Sequence, residues 1–262
     1  MASSTSLTPS QSAEPDGSAV DVEESGSPQD GGARPYHPAP GLEGLYGEDY
    51  FEGRLSNDPE RVAQFRSEGE LIRRYIRSGR AMDIGCSTGE FLEAIGWQDE
   101  RFGMEISEFA RAIAMEKGVR FDRDIFSETD FFDLVIIRGT IQHLDEPFLF
   151  LKHSFTALRP GGYIVFLATP NTNSPFDRLK KTLPFIDAPR NFYIPDDVGL
   201  AQALTNLGFV VRETRYPYLH TPYARPVRDH WRFLRNLLSP RSTVIPHAFW
   251  RSSMEMVAQK PA

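Results

Sequence analysis

A short glycine-containing turn between a buried strand and a helix constrains this chain more than any other feature. Residues 81–91 read AMDIGCSTGEF, with apolar residues before Gly85 and helix-forming residues after Gly89. Glycine at both positions lets the backbone approach a ligand, because no Cβ stands in the way. The helix that follows offers unpaired N–H groups to a polar ligand. Since the Asp83 carboxylate would repel a pyrophosphate, the turn predicts a site for a cationic or hydroxyl-rich nucleoside.

Length and charge limit the class of protein. The 262 residues, 40% of them hydrophobic, suffice for one α/β domain with a sizeable core. The net charge of −7 argues against a nucleic acid or an anionic membrane surface as the main partner, although it is compatible with a local basic patch. The single cysteine allows no intramolecular disulfide, which fits the cytoplasm. No segment has the pattern of a signal peptide or a membrane span, so we expect a cytoplasmic protein.

Strands and helices alternate along the chain after the glycine turn. The second strand ends at Glu105, and Ser107 is placed to cap the helix that follows it. Residues 131–137 form the clearest buried strand, because they are nearly continuous in apolar residues. The strands predicted beyond the glycine turn are 101–107, 119–121, 131–137, 163–168, 209–216 and 253–258.

Three stretches resemble motifs of the class I S-adenosylmethionine (SAM) dependent methyltransferases. Residues 83–89 (DIGCSTG) resemble motif I, residues 131–144 resemble motif IV, and residues 158–162 (LRPGG) resemble the motif before the fifth strand. The family more often has glycine at the position of Ser87. The resemblance implies a Rossmann-like α/β fold, with a seven-stranded, mostly parallel sheet, a closing antiparallel strand and helices on both faces. It also implies SAM as methyl donor, S-adenosylhomocysteine as product and no metal.

The resemblance places the cofactor at the carboxyl ends of the first three strands. Glu105 would accept hydrogen bonds from both ribose hydroxyls, and Met104 would pack near the adenine. An acid with an apolar neighbour would contact the adenine after strand three; Asp124 with Ile125 fits best, and Asp122 is the alternative. The other residues expected at the cofactor are Asp83, Gly85, Cys86, Ser87, Gly89 and Arg138.

His143 follows the fourth strand, where the resemblance places a histidine beside the methyl donor. A neutral imidazole there could take a hydroxyl proton as the methyl group is transferred. In relatives with other chemistry this histidine mainly braces the loop, so both roles stay open. Gln142 and Arg138 are further candidates for this pocket.

The part of the chain after residue 169 is expected to hold the acceptor. The polar connection 169–195, which includes Asn171, is long for a plain loop. The insert between the last two strands carries His220, Tyr223 and His230, which either contact the substrate or serve in packing. The arginines near this insert suit an anionic acceptor or form a solvated face: Arg215, Arg225, Arg228 and Arg232.

Composition divides the chain into two regions. Residues 1–40 are rich in Ser, Pro, Gly and acids, which predicts a disordered tail or, alternatively, a docking segment for a partner. Residues 41–262 form the predicted methyltransferase domain, with an N-terminal segment (41–79), a SAM-binding half (80–169) and a substrate-side half with an insertion (170–262). In the N-terminal segment, Tyr46 and Tyr50 either form a lid over the SAM pocket or pack as plain aromatic residues.

The predicted activity is metal-free O-methylation of a small polar metabolite. The loop at Pro170 and the aromatic insert resemble those of methyltransferases acting on sugars and secondary-metabolite intermediates. N- and C-methylation stay open because the motifs do not read the acceptor atom, and a non-catalytic SAM-binding module is a second class. A nicotinamide-dependent oxidoreductase is disfavoured, because residues 85–89 lack the G-x-G-x-x-G spacing and Asp83 would face the pyrophosphate.

Overall fold

The computed structural model describes residues 51, 58–180, 183, 191–238 and 248–262. The predicted tail and the lid candidates Tyr46 and Tyr50 lie outside the described residues. The tail, the lid and the predicted domain boundaries therefore stay predictions.

A mixed sheet forms the centre of the described chain. Its strands are β1 Ala81–Ile84, β2 Arg101–Met104, β3 Phe132–Arg138, β4 Leu158–Pro170, β5 Val210–Arg215 and β6 Ser253–Gln259. They are arranged in the order β2-β1-β3-β4-β6-β5. The first four strands are parallel to their neighbours, whereas β6 runs antiparallel to both β4 and β5.

The sheet has six strands among the described residues, where seven were expected. The predicted third strand at 119–121 makes a single parallel bridge, between Phe102 and Arg120. Gly118 turns the chain with a φ of +80° just before this bridge. Just after it, exposed Asp122 bends back to pair with the Arg120 guanidinium at 2.7 Å. These two turns leave too few extended residues for a full strand.

Helices pack on both faces of the sheet. The α-helices are α1 Pro59–Arg73, α2 Glu90–Ala94, α3 Glu108–Glu116, α4 Pro147–Ala157, α5 Pro175–Lys180, α6 Asp197–Asn206 and α7 Pro226–Leu238. The Asp58 carboxylate caps α1, and the Ser107 hydroxyl caps α3 as predicted. At α6 the capping residue is Asp196, whose carboxylate accepts from the Gly199 N–H at 2.8 Å.

The strands alternate their side chains between two apolar layers. In β3, Val135 and Ile137 pack into a cluster with residues of α4 and α6, such as Phe150 and Leu200. Leu134 and Ile136 face the opposite layer, which contains Phe65 of α1 and residues of α2. Because both faces are covered, β3 is apolar on both sides and its carboxyl end is held firmly beside that of β1.

Candidate functional site

A cavity of about 390 Å³ lies at the carboxyl ends of β1, β2 and β3. This edge is where open α/β sheets bind ligands. Nine of the residues predicted from the sequence line it: Asp83, Gly85, Cys86, Ser87, Met104, Glu105, Asp124, Arg138 and His143. Several lining residues were not predicted: Phe51, Arg61, Phe65, Glu90, Phe91, Ile106, Arg111, Phe121, Arg123, Thr140, Leu144 and Phe150.

The glycine turn has the backbone conformation that its sequence implies. Gly85 has a φ of +73°, and a Cβ built there would lie 2.4 Å from the Cγ2 of Thr140. Ser87, where the family more often has glycine, also lies in the left-handed region, with a φ of +51°. Gly89 does not line the cavity. A Cβ there would lie 3.2 Å from the Ala114 Cα, so this glycine allows close packing of the turn against α3.

The Glu105 carboxylate is fixed in the cavity wall by backbone N–H groups. Oε2 accepts from the Ser87 N–H at 3.0 Å, and Oε1 accepts from the Ser107 N–H at 2.9 Å. Burial raises the pKa of Glu105, while these backbone hydrogen bonds oppose the rise. A carboxylate oriented in this way can accept hydrogen bonds from a vicinal pair of hydroxyls, such as those of a ribose.

Asp83 carries a buried carboxylate whose hydrogen bonds are incomplete. The residue is 2% exposed, and its Oδ1 has no hydrogen-bond partner among the described residues. Burial raises the pKa of Asp83 to about 7, an effect that the nearby Arg138 charge opposes and Glu105 reinforces. A buried acceptor without a donor is costly, and a ligand ammonium group would remove that cost. Asp83 and Glu105 together therefore fit a nucleoside that carries a cationic amino group.

Arg138 lines the cavity, but its guanidinium is engaged in a buried ion pair with α1. Its Nε lies 2.6 Å from Oε2 of Glu68, and Glu68 is fully buried. The guanidinium carbon also lies 4.4 Å from the ring centroid of Phe65. The pair joins the end of β3 to α1, so the first role of Arg138 is to hold the wall of the cavity.

His143 is half-buried in the cavity wall, on a single 3₁₀ turn after β3. The Gln142 side-chain nitrogen lies 3.0 Å from the Gly139 carbonyl oxygen and 3.1 Å from His143 Nε2. Since the carbonyl can only accept, the amide NH₂ group must point towards both atoms. Nε2 is therefore the acceptor, and this fixes the tautomer with the proton on Nδ1. Gln142 itself is buried beside the cavity and does not line it.

Asp124 and Asp122, the two acids predicted as alternatives for contacting the adenine, lie in different environments. Asp124 lines the cavity, and its Oδ1 accepts from the N–H groups of Phe126 and Ser127, both at 2.8 Å. The alternative, Asp122, is exposed and pairs with Arg120. Ile125 is fully buried in the core and does not reach the cavity; the apolar wall near Asp124 comes from Phe121 instead.

Several substrate candidates lie away from the cavity. Asn171 is fully buried, and its amide ties the end of β4 to the Arg251 carbonyl and the Asp197 N–H. His220 is exposed. His230 bridges the Pro226 carbonyl and the Trp250 indole N–H. Tyr223 does not line the cavity, but it lies close enough to Asp58 and Arg138 for their charges to act on its pKa, which burial raises.

Cys86 is a small buried side chain of the turn. Burial, together with the nearby charges of Asp83 and Glu105, raises its thiol pKa well above the usual range. A Cβ built on Gly103 would lie 2.6 Å from the Cys86 sulfur, so the two residues are fitted to each other. Cys86 therefore lines the cavity as a packing residue and does not act as a nucleophile.

Two features are absent from the described residues. No group of three or more His, Cys, Asp or Glu side chains in this part of the chain could hold a metal ion. None of the described helices combines the length and the apolar character that crossing a bilayer requires.

The fold and the cavity are those expected of a nucleoside-binding α/β protein, and a match to a family model identifies the family. The model of a family described as a methyltransferase domain matches residues 55–214, more than half of the chain. The chain belongs to this methyltransferase domain family. The predicted SAM-dependent methyltransferase is thereby confirmed at the level of the family, and SAM is the donor that membership implies.

An uncharacterised protein of Methanocaldococcus jannaschii is 26% identical to this chain over 105 residues. That match covers 38% of this chain and 50% of the archaeal protein, so the chain spans about half the length of this curated relative. The relative's name gives no activity, so it adds nothing on the acceptor.

Several solved structures with the same fold are described as methyltransferases, and one is described as the [4+2]-cyclase SpnF. A SAM-dependent methyltransferase of Archaeoglobus fulgidus is 22% identical, with a TM-score of 0.53 over 80% of this chain and 98% of that one. A Thermotoga maritima enzyme, described as a possible histamine N-methyltransferase, is 20% identical with a TM-score of 0.51, at the same coverage. A Haloferax volcanii protein, solved in complex with the Trm112 methyltransferase activator, is 14% identical, with a TM-score of 0.57 over 80% of this chain and 95% of that one. These likenesses establish the fold alone.

Proposed function

We propose that this methyltransferase transfers a methyl group to a hydroxyl of a small polar metabolite, such as a sugar or a secondary-metabolite intermediate. The position of His143 carries the proposal, because its imidazole lines the same cavity as Asp83 and Glu105. The hydrogen bond from Gln142 keeps Nε2 unprotonated and able to accept a proton. The reaction needs no metal in this proposal, and the single cysteine supports a cytoplasmic location.

The cofactor contacts follow from the chemistry of the cavity wall. Asp83 would pair with the amino group of SAM, and Glu105 would accept from its ribose hydroxyls. Asp124, with Phe121 and Met104, would form the adenine end, while the Gly85–Ser87 backbone would pass close to the ligand. When bound, SAM supplies a methyl group on a sulfonium, which needs no further activation.

The protein's own part in the transfer is to align the acceptor and remove its proton. The Nε2 lone pair of His143 accepts from the Gln142 amide. In our proposal an acceptor hydroxyl takes the place of that amide and gives its proton to Nε2 as the new C–O bond forms. Before the acceptor binds, Gln142 acts as a positioning residue, because its amide selects the tautomer in which Nε2 is the basic nitrogen. Arg138 holds the adjacent wall through Glu68.

The test compares His143→Ala with the wild type, using SAM labelled in its methyl group and a panel of hydroxylated and amine acceptors. We expect turnover of a hydroxyl acceptor to fall about 10²–10⁴-fold, with S-adenosylhomocysteine affinity unchanged. His220→Ala is the matched control, because His220 is exposed and outside the cavity lining, and it should retain full turnover.

Three outcomes would contradict the proposal. Wild-type turnover by His143→Ala, with cofactor binding intact, would remove the base role. Methylation of amines alone would favour N-methylation instead, the activity named for the Thermotoga maritima neighbour. A chain that binds S-adenosylhomocysteine but methylates nothing in the panel would favour the non-catalytic module.

A further inference from the structure

The outer face of α7 carries an apolar stripe that no described residue covers. Val227, Trp231 and Leu234 are 86%, 66% and 56% exposed, respectively. They follow one another at intervals of four and three residues, so they share one face of the helix. Isolated exposed apolar residues are normal, but three large apolar side chains on one face of a helix indicate an interaction surface.

The buried residues on the inner face of α7 are sufficient to hold the helix in the fold, and the stripe is not needed for this. Phe233 is buried and packs against the Phe176 and Trp250 rings, at centroid distances of 5.6 and 4.4 Å. Asp229 is fully buried and accepts hydrogen bonds from the Tyr218 hydroxyl and the Arg225 N–H, both at 2.8 Å. The helix is therefore anchored from one side, and the stripe serves something other than the described core.

Arginines flank the stripe, and no exposed acid balances them on this helix. Arg228 and Arg235 are exposed. The one acid of α7, Asp229, is fully buried, and its Oδ1 lies 3.8 Å from the Arg228 Nε. Residues 215–254 contain seven arginines and a single acid, in a chain whose net charge is −7. The chain is thus acidic as a whole but basic around α7. A local basic patch of this kind is compatible with the negative net charge.

We propose that the α7 docking face, formed by Val227, Trp231, Leu234, Arg228 and Arg235, binds the surface of an anionic lipid bilayer. Exposed Trp and Leu flanked by arginines are typical of helices that lie in the interface between headgroups and acyl chains. At 13 residues, α7 is too short to span a bilayer and suits an in-plane position. The arginines would meet lipid phosphates while the apolar stripe enters the acyl boundary.

Two other occupants fit the surface less well. A second copy docked about a two-fold axis through α7 would bring arginines against arginines. The N-terminal residues 1–40 are acidic, but their composition is too poor in apolar residues to cover Trp231 and Leu234. A bilayer satisfies the apolar and the cationic parts together.

The docking face begins beside the cavity. The Arg225 guanidinium, one residue before α7, lies 3.0 Å from the Glu60 carboxylate of α1. The next residue of α1, Arg61, lines the cavity. Since α7 is roughly 20 Å long, docking would hold the cavity close to the lipid surface.

The test is flotation of the full-length protein with vesicles. We expect it to bind phosphatidylglycerol vesicles, to bind phosphatidylcholine vesicles at least tenfold more weakly, and to dissociate at high salt. The double variant Trp231→Glu/Leu234→Glu and, separately, Arg228→Gln/Arg235→Gln should each lose at least tenfold in binding. Met115→Glu is the matched control, because Met115 is 60% exposed on another helix, and it should bind like the wild type.

Tryptophan fluorescence and the mass of the protein in solution distinguish a bilayer from a second copy as the occupant of the docking face. Of the three tryptophans, Trp97 is 4% exposed and Trp250 is half-buried, whereas Trp231 is 66% exposed. Trp231 should therefore dominate a blue shift on addition of vesicles, which Trp231→Leu should abolish without loss of binding. No vesicle binding, or equal binding by the α7 variants, overturns the proposal. A wild-type dimer that becomes monomeric in Trp231→Glu/Leu234→Glu would assign the face to a second copy instead. S-adenosylhomocysteine binding, unchanged in all variants, keeps this result independent of the cofactor site.

Discussion

Asp83 links cofactor binding to pH. Because burial raises its pKa to about 7, the free protein holds a proton on this carboxyl below neutrality. A ligand ammonium favours the ionised form, so binding must displace that proton at low pH. S-adenosylhomocysteine should therefore bind about tenfold more weakly at about pH 6 than at about pH 8, as expected for one titrating group.

The control for this prediction is Asp83→Asn, measured by calorimetry over the same pH range. The variant should bind weakly at every pH and show no step near neutrality. An unchanged pH profile in Asp83→Asn would assign the titration to another group and remove Asp83 from the site.

Alanine substitutions at Gly85 and Gly118 distinguish the cost of backbone strain from the cost of steric overlap. Both have a positive φ, but a Cβ at Gly85 would lie 2.4 Å from Thr140, whereas a Cβ at Gly118 meets no atom within 4 Å. Gly118→Ala should lower the free energy of unfolding by about 1–2 kcal/mol through backbone strain alone. Gly85→Ala should cost more than this, because Thr140 must move as well. Equal losses in urea titrations of the two variants would contradict the close fit between Gly85 and Thr140.

The predicted site residues that line the cavity are those whose position follows from chain order. Asp83 and Glu105 end neighbouring parallel strands, so their meeting could be predicted from the strand pattern alone. Phe121 and Ile106 sit next to predicted acids at strand ends and could have been found by the same logic. Ile125 was predicted to contact the adenine, but the turn at residues 125–127, two of whose N–H groups donate to the Asp124 carboxylate, directs it into the core.

The ion pair between Glu68 and Arg138 joins α1 to β3. Glu68 has no exposed surface, and its two oxygens are used by Arg138 and by the Gln64 amide, which donates at 2.9 Å. Arg138→Met would leave this carboxylate buried without its cation. We expect a loss of about 3–5 kcal/mol in the free energy of unfolding, measured by urea denaturation.

The double variant Glu68→Gln/Arg138→Met tests whether the unpaired charge of Glu68 causes this loss of stability. Removing both charges should recover most of the stability, because no uncompensated charge remains. Glu100→Gln, which removes an exposed partner of Arg120, should leave the unfolding transition unchanged. A stable Arg138→Met single variant would mean that the pair does not hold α1 in place.

Element order was predictable, whereas the docking of α1 was not. The apolar patterns predicted most strands close to their observed bounds. The exceptions are the third strand, which is a single bridge at Arg120, and β4, which begins at Leu158 and not at residue 163. The position of α1 over the cavity depends on the long-range contact between Glu68 and Arg138. No local pattern in the sequence carries that contact, so Arg61 and Phe65 were missed as lining residues.

The whole molecule combines a cofactor cavity with a basic, apolar outer helix. The family model ends at residue 214, and α7 lies beyond it. The part of the chain that the family explains is therefore the cavity and most of its sheet. The proposed docking face lies in the remaining part, and the family motifs do not describe it.

The most direct test of the account is calorimetric titration of the purified chain with S-adenosylhomocysteine, beside parallel titrations with NADH and NADPH. The account predicts one site with micromolar affinity for S-adenosylhomocysteine and no response to either nicotinamide. Glu105→Gln should weaken that site, because the ribose hydroxyls lose a charged acceptor. Tight nicotinamide binding without any response to S-adenosylhomocysteine would contradict the assignment of the cavity and of every residue role built on it.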